Sequence, residues 1–104
     1  MHKVLKLLGL AKRAGKLVVG TDAVISKLQA NKLDLIFVAS DASIATIDKI
    51  EKKAFYYNVE IIKSFTSDEL SDAIGSNNNK VLGIADLGFS KAMLKHHTVR
   101  VEGE

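Results

Sequence analysis

The stretch LDLIFVA, at residues 33–39, is apolar at every position except Asp34. A strand that is covered on both faces carries apolar side chains on both of them, so it lacks the alternation of a half-exposed strand. A continuous apolar run of this length is typical of such a strand. We therefore predict that residues 33–39 form a central strand, with helices on each side of its sheet.

On the N-terminal side of this strand, the pattern predicts a helix, a short strand and a second helix. The apolar face of the first helix repeats at helical spacing, at Val4, Leu7, Leu8 and Ala11. We expect this helix to end near Gly15 and residues 17–19 to form the short strand. Gly20 follows as a turn, and Thr21 is the predicted N-cap of the second helix. The inward side chains of that helix are Val24, Ile25 and Leu28.

On the C-terminal side, residues 40–43 supply turn and capping residues before a third helix. Its inward side chains are Ile47, Ile50 and Ala54. Residues 59–65 are predicted to form a strand. After this strand, Thr66 and Glu69 have the spacing of a capping box, which predicts the start of a short helix. We expect Gly75 to close that helix.

The remaining segment predicts one more strand and one more helix. Residues 76–79 are a polar loop, residues 80–85 predict the strand, and the inward stripe of the last helix is Phe89, Met93 and His96. Strands that alternate with helices through short loops favour one sheet with helices on both faces. We therefore predict an α/β fold in a single domain over residues 1–104. Its architecture is a three-layer α-β-α sandwich with a central mixed, mostly parallel four-stranded sheet.

The composition is that of one ordinary globular domain with an excess of positive charge. Its 104 residues are enough for one hydrophobic core. The 15 Lys and Arg against 12 Asp and Glu give a net charge of +3, which favours a polyanionic partner without requiring one. The chain has no cysteine, which excludes disulfides and thiolate metal sites. It also lacks a signal-peptide core and an apolar span of membrane length, so we expect a cytoplasmic protein without membrane contact.

Two patterns that could indicate catalysis or metal binding are incomplete. The Gly15-Lys16 pair precedes Leu17, so the hydroxyl residue that completes a nucleotide-binding P-loop is missing. His96 and His97 are adjacent, and adjacent residues do not share a helix face, so they are poor paired metal ligands. We expect these histidines to be surface or partly packed side chains.

Asp41 and Asp86 each follow an apolar strand, where the phosphoacceptor aspartate of a receiver-like domain would lie. Such a domain also needs an acidic pair after its first strand, and residues 19–21 do not supply one. Helix capping is therefore the better interpretation of both aspartates. We expect no enzyme activity, no cofactor and no bound metal, and keep a small enzyme or receiver-like phosphoprotein as an alternative.

Gly20, Thr21 and Asp22 come directly after a predicted strand and open a helix. The free backbone N–H groups at a helix start attract anions, and glycine lets a phosphate backbone or a base approach closely. The nearby cations that would hold phosphates are Lys12, Arg13, Lys16 and Lys27. The pattern fits such an interface as well as it fits a glycine turn with a threonine cap and solvated lysines.

Four blocks follow one another in order along nearly the whole chain. The first is GLAKRAGKLV at residues 9–18, followed by Gly20, and the second is DAS at residues 41–43. The third comprises EL at residues 69–70 and AIG at residues 73–75, and the fourth is DLGFSK at residues 86–91. Together they resemble the ribosomal protein L7Ae family of kink-turn RNA-binding proteins, in its short bacterial YlxQ-like branch.

The resemblance implies an α-β-α sandwich that binds kink-turns, which are sharply bent RNA helices with tandem sheared G·A pairs beside a bulge. It also implies that the helix after Gly20 enters the RNA groove at the G·A pairs, through a motif of Asn-Glu-x-x-Lys type. Asp22, Ala23 and Ser26 occupy those positions, so an acidic residue stands for the asparagine, and the glutamate and lysine are absent. Lys27 lies one residue beyond the motif.

Two loops complete the site that the resemblance implies. Asp41, Ala42, Ser43 and Ile47 match the segment around the extruded bulge base, where an apolar side chain can stack and a polar one can hydrogen-bond. Ser76, Asn77, Asn78 and Asn79, followed by Lys80, match a loop that lies against the same nucleotides. The implied partner is structured RNA with a kink-turn, the ribosome is a further candidate partner, and we expect a monomer.

A second class of function stays open at this point. Ala23 and Ser26 also fit a protein-interaction or ribosome-associated scaffold domain that kept the fold and lost specific kink-turn binding. Reversal of the charges at Lys12, Lys16 and Lys27 would separate the two hypotheses, because a scaffold partnership would survive it.

Overall fold

The computed structural model describes the backbone of residues 2–102 and the side chains of residues 2–97. Helices and strands alternate along this part of the chain. The helices are α1 (Lys3–Arg13), α2 (Thr21–Gln29), α3 (Ile44–Tyr56), α4 (Ser67–Ile74) and α5 (Leu87–Glu102). The strands are β1 (Leu17–Val19), β2 (Leu35–Val38), β3 (Glu60–Ile62) and β4 (Val81–Ile84).

The four strands form one mixed sheet in the order β1-β4-β2-β3. A mixed sheet was expected, but the prediction that it is mostly parallel was wrong. Only the β2–β3 pair is parallel, since β4 lies between β1 and β2 and is antiparallel to both. The chain that follows α4 enters β4 at the edge where β3 ended, so β4 runs opposite to β3.

Helices cover both faces of the sheet, which confirms the predicted three-layer sandwich. Helix α1 packs against α4 and α5 in one layer, and α2 packs against α3 in the other. Every residue of β2 and β4 is buried, as expected for strands at the centre of the sandwich. The predicted strand at residues 33–39 is shorter in the structure, although Leu33 and Ala39, just outside it, are also buried.

Several predicted helix ends are confirmed. Ser43 caps α3 by accepting a hydrogen bond from the backbone N–H of Thr46. Thr66 and Glu69 form the capping box of α4, and Gly75 ends that helix in the left-handed conformation. These caps depend only on residues within a few positions of each other, so their spacing in the sequence is sufficient to find them.

The start of α2 differs from the prediction by one residue. Thr21 is the first residue of the helix, and Gly20, with φ 104° and ψ 151°, is its N-cap. The N–H of Gly20 still bonds Val81 of the sheet, while its carbonyl already accepts from Val24 in the helix. Joining a strand to a helix within one residue requires this backbone conformation, which side chains strongly disfavour. Therefore no side chain caps α2.

The last helix carries its predicted inward stripe only in part. Met93 is fully buried, whereas Phe89 and His96 are half-buried. Asp86 caps this helix, as expected, by accepting a hydrogen bond from the N–H of Phe89 at 2.8 Å. Within residues 2–102, no helix has both the length and the apolarity needed to span a membrane.

Candidate nucleic-acid interface

Strands β1, β2 and β3 end, and β4 begins, at one edge of the sheet. Val19 pairs with Leu82, and Val38 pairs with Val81. This edge therefore gathers three segments that are distant in sequence: residues 20–22, residues 40–44 and residues 76–80. We call these three segments the loop edge.

Backbone hydrogen bonds at the strand ends hold the three segments side by side. The N–H of Gly20 donates to Val81 at 2.9 Å, and the N–H of Ala39 donates to Lys80 at 2.8 Å. Lys80 and Val81 therefore lie between residues 20–22 on one side and residues 40–44 on the other. The structure brings together the three regions that the sequence indicated separately, and fixes them on a rigid sheet.

The start of α2 presents unused hydrogen-bond donors at the loop edge. The first bond within the helix joins the N–H of Val24 to Gly20, so the N–H groups of Thr21, Asp22 and Ala23 have no acceptor inside the helix. Such groups carry partial positive charge and favour anionic or carbonyl acceptors. Asp22 and Ala23 are exposed beside them. This helix start can approach a nucleic acid with both donors and a carboxylate acceptor.

Asp41 has a different role from the one expected. It does not cap its own helix; instead its carboxylate accepts from the hydroxyl of Ser67 at 2.7 Å and from the backbone N–H of Ser67 at 2.8 Å. The hydroxyl bond, followed by the backbone bond, holds the pKa of Asp41 below its ordinary value, and the charge of Lys80 adds to this effect. Asp41 therefore ties the loop before α3 to the start of α4.

The apolar side chain that is available for stacking in this segment is Ile44. Ile47, which the resemblance indicated, is half-buried and packs against the core. Ile44 is 86% exposed at the first position of α3, next to the exposed Ser43. Sequence reasoning missed Ile44 because it lies three residues before Ile47, on the same predicted inward face; only its position at the very start of the helix distinguishes it.

The loop after α4 presents two of its three asparagines to solvent. Asn77 and Asn78 are exposed, and Asn78 adopts φ 56°. Asn79 is buried, and both its backbone N–H, at 3.0 Å, and its side-chain amide, at 3.4 Å, donate to the hydroxyl of Ser71. Asn79 thus anchors the loop on α4, while Asn77 and Asn78 remain free to meet a ligand.

Three of the cations proposed for phosphate contacts lie away from the start of α2. Lys16 accepts a backbone hydrogen bond from Ala85 and is therefore at the opposite end of β1 from Gly20. Lys12 donates its ammonium group to the carbonyl of Ile74 at 2.7 Å, at the end of α4. Lys12 and Arg13 line a cavity of about 430 Å³ between α1 and the end of α4.

The remaining cations differ in their distance from the loop edge. Lys27 is exposed in the last turn of α2, and Ser26 is exposed one residue before it. At a rise of about 1.5 Å per residue, Lys27 lies roughly 9 Å along the helix from its start. Lys80, by contrast, is exposed within the loop edge itself. The structure thus favours Lys80 as the cation closest to a ligand that contacts all three segments.

Two histidines have hydrogen-bond partners within the fold. The ring Nδ1 of His2 accepts from the N–H of Val4 and caps α1. The ring Nε2 of His97 is 2.8 Å from the hydroxyl of Ser64. His96 and His97 are both half-buried, as expected from the sequence.

Comparison with known proteins finds a matching family model and similar RNA-binding proteins. The model of the ribosomal protein L7Ae/L30e/S12e/Gadd45 family matches residues 2–94. The RNA-binding protein YlxQ of Enterococcus faecium is 42% identical over 90 residues, which are 86% of each chain. The RNA-binding protein YlxQ of Bacillus subtilis (strain 168) is 35% identical over 88 residues, which are 85% of this chain and 88% of that one.

Two of the solved structures that share this fold differ in their sequence identity to this chain. A protein of unknown function from Bacillus halodurans has a TM-score of 0.90 and 33% identity, covering 92% of this chain and 97% of that one. The Giardia lamblia 15.5kD RNA binding protein has a TM-score of 0.78, covering 95% of this chain and 84% of that one. At 16% identity, the second likeness shows the fold alone.

Proposed function

Because the chain belongs to the ribosomal protein L7Ae/L30e/S12e/Gadd45 family, we propose that it is a non-catalytic RNA-binding protein that recognises and stabilises kink-turns. Two relatives bear the name RNA-binding protein, which supports RNA as the partner. We further propose that the RNA is ribosomal or regulatory, that the ribosome is a partner, and that the protein acts in the cytoplasm.

The observation that carries this proposal is the convergence at the loop edge. Uncapped N–H groups at the start of α2, the exposed Ile44 and the exposed amides of Asn77 and Asn78 face one side of the molecule. Structured RNA is recognised by hydrogen bonds to base edges and 2′-hydroxyls and by stacking on unpaired bases, and these groups supply both kinds of contact.

In the proposed complex, the start of α2 enters the groove at the tandem G·A pairs. The N–H groups of residues 21–23 donate to base or phosphate acceptors, and the carboxylate of Asp22 accepts from a base amino group. These contacts take the place of the glutamate and lysine that are missing at Ala23 and Ser26. Binding at this helix start therefore relies more on backbone N–H groups than binding through the family's Asn-Glu-x-x-Lys motif does.

The other two segments hold the extruded nucleotide. Ile44 stacks on its base, and Ser43, whose side chain also caps α3, lies at the edge of that contact. Asn77 and Asn78 bond base edges or ribose hydroxyls, while Asp41 and Asn79 keep the two loops in position. RNA that is already kinked in Mg²⁺ is selected and stabilised.

Phosphates are held by cations at two distances. Lys80 contacts the backbone of the bound nucleotides from within the loop edge. Lys12, Arg13, Lys16 and Lys27 lie farther away and contribute a longer-range attraction that salt screens. Removal of Lys80 is therefore expected to lose a direct phosphate contact, whereas removal of one of the distant cations loses only part of the screened attraction.

The test is a titration of an end-labelled kink-turn RNA in Mg²⁺ and moderate salt. The same RNA with its tandem G·A pairs changed to Watson–Crick pairs is the control. We expect the kink-turn to bind at least about tenfold more tightly, which is roughly 1.4 kcal/mol. Equal, weak binding of both RNAs would overturn kink-turn recognition and favour the scaffold function that Ala23 and Ser26 also fit.

Two matched lysine variants test the arrangement of the site. Lys80→Ala should weaken kink-turn binding several-fold more than Lys27→Ala, because Lys80 is in the loop edge and Lys27 is at the far end of α2. Both variants remove one positive charge from an exposed side chain. Equal losses would show that both residues act only through the overall charge.

A further inference from the structure

Helix α3 ends with two aromatic side chains in solvent. Phe55 is 89% exposed and Tyr56 is 79% exposed. Burying a large apolar side chain is worth about 1.5–3 kcal/mol, so two adjacent aromatic rings left in water are costly on the surface of a folded domain. Nothing in the described part of the chain covers them.

Tyr56 lies beside lysines in a shallow depression. The rings of Tyr56 and Tyr57 meet edge to face with their centroids 4.8 Å apart. Together with Lys52 and Lys53 they line a cavity of about 440 Å³. Lys52 precedes Phe55 by three residues and Tyr56 by four, so all three share one helix face. We call Lys52, Lys53, Phe55, Tyr56 and Tyr57 the α3 patch.

The charges around the α3 patch leave cations in excess. Asp48 pairs with Lys52 at 3.0 Å, and Glu51 pairs with Lys63 on β3's C-terminal side. Among the described side chains, Lys49 and Lys53 have no ion pair. Both acids of α3 are therefore matched by lysines, whereas two lysines remain available for an external anion.

The exposed aromatic rings and the unpaired lysines together indicate which kind of molecule can bind the α3 patch. A second copy of the chain would place lysines against lysines around the aromatic rings, which opposes self-association. A strand of RNA offers flat bases for the rings and phosphates for the lysines, and aromatic side chains interleaved with cations are the usual means of binding single strands. We propose that the α3 patch is a second RNA-binding surface, which takes single-stranded RNA by stacking bases on Phe55 and Tyr56.

The α3 patch is separate from the loop edge. Helix α3 begins at the loop edge with Ile44, and Phe55 lies roughly 16 Å farther along the helix, at a rise of about 1.5 Å per residue. The inference therefore goes beyond kink-turn recognition, because it concerns unpaired nucleotides and a different surface.

The chain carries its own reporter for this surface. It has no tryptophan and only two tyrosines, and these are Tyr56 and Tyr57. A base that stacks on Tyr56 will change the intrinsic emission of the protein, whereas RNA bound only at the loop edge will not. The probe is an end-labelled oligouridine of about ten nucleotides, within the site sizes usual for single-strand binders.

The experiment combines RNA anisotropy with tyrosine emission, corrected for absorption by the RNA. We expect wild-type protein to bind oligouridine with quenching of the tyrosines. The double substitution of Phe55→Ala with Tyr56→Ala should weaken binding at least about tenfold, as expected for the loss of base stacking. Leu87→Ala, at a side chain 57% exposed on α5, is the control and should bind as the wild type does.

A second double variant, Phe55→Leu with Tyr56→Leu, keeps the apolar surface and removes the aromatic faces. It should lose oligouridine binding and keep its affinity for a kink-turn RNA without single-stranded ends. Retained oligouridine binding in this variant, absent tyrosine quenching in the wild type, or loss of kink-turn affinity would each overturn the proposal. Concentration-dependent dimerisation that both double variants abolish would do the same, with a second copy as the occupant. Because the probe is oligouridine, failure of kink-turn recognition leaves this result intact.

Discussion

At the scale of single residues, Gly20 determines how the start of α2 meets the sheet. Its φ of 104° and ψ of 151° lie in a region that residues with a Cβ rarely enter, and an added Cβ would meet no other atom within 4 Å. The cost of Gly20→Ala is therefore conformational, and we expect a loss of about 1–3 kcal/mol in the free energy of unfolding, measured in urea.

The control for this prediction is Gly15→Ala. Gly15 has φ 73° and is also free of neighbouring atoms, but this left-handed conformation is less costly for alanine, about 1–2 kcal/mol. We also expect Gly20→Ala to weaken kink-turn binding more than Gly15→Ala, because it displaces the donors of α2. A Gly20→Ala protein as stable as the wild type would contradict the conformation described here.

Asp41 makes a pH-dependent contribution to stability. Hydrogen bonds from Ser67 lower the pKa of Asp41 in the folded state, so folding favours the ionised carboxylate. This stabilisation is fully present above the unfolded-state pKa of about 3.9 and is lost as the pH falls through the lower folded-state pKa. We expect Asp41→Asn to be less stable than the wild type at neutral pH and the difference to narrow in acid.

The measurement is urea unfolding of both proteins at neutral pH and at about pH 3, below the unfolded-state value. Asp72→Asn, which also removes one exposed carboxylate, is the matched control. If the difference in the free energy of unfolding between Asp41→Asn and the wild type were the same at both pH values, the bonds to Ser67 would not be those of an ionised group.

At the scale of elements, the start of α2 differs chemically from the starts of α3 and α4. Ser43 and Thr66 cap α3 and α4 with their side chains, whereas Thr21 at the start of α2 makes no capping bond. We expect Ser43→Ala and Thr66→Ala each to cost about 1 kcal/mol in the free energy of unfolding, and Thr21→Ala clearly less. Urea denaturation of the three variants measures the difference. A Thr21→Ala cost equal to that of Thr66→Ala would restore the original assignment of Thr21 as the N-cap.

At the scale of the whole molecule, the distribution of charge opposes self-association. The chain carries a net charge of +3, and the exposed ring of Tyr56 lies beside Lys52 and Lys53. We expect a monomer of 11.3 kDa in light scattering coupled to size exclusion, at every protein concentration tested. A mass that doubles with concentration would contradict this, and the two α3 double variants would then show whether the aromatic rings form the contact.

The sequence by itself determined the layers and most elements of this protein. The apolar run at residues 33–39 correctly indicated the central strand, and the spacing of Thr66 and Glu69 correctly indicated a capping box. The blocks that resembled the L7Ae family indicated a membership that the family model confirms. All of these depend on side-chain period and capping, which residues a few positions apart already express.

Only the tertiary structure decided the direction of β4, the partner of Asp41 and the exposure of Ile44. Asp41 bonds a residue 26 positions later, and β4 lies between strands from distant parts of the chain. It also placed Lys80 in the loop edge and Lys16 at the opposite end of β1. These features follow from how complete elements pack against one another, and no local pattern carries that information, because burial and strand order depend on residues that are neighbours only after folding.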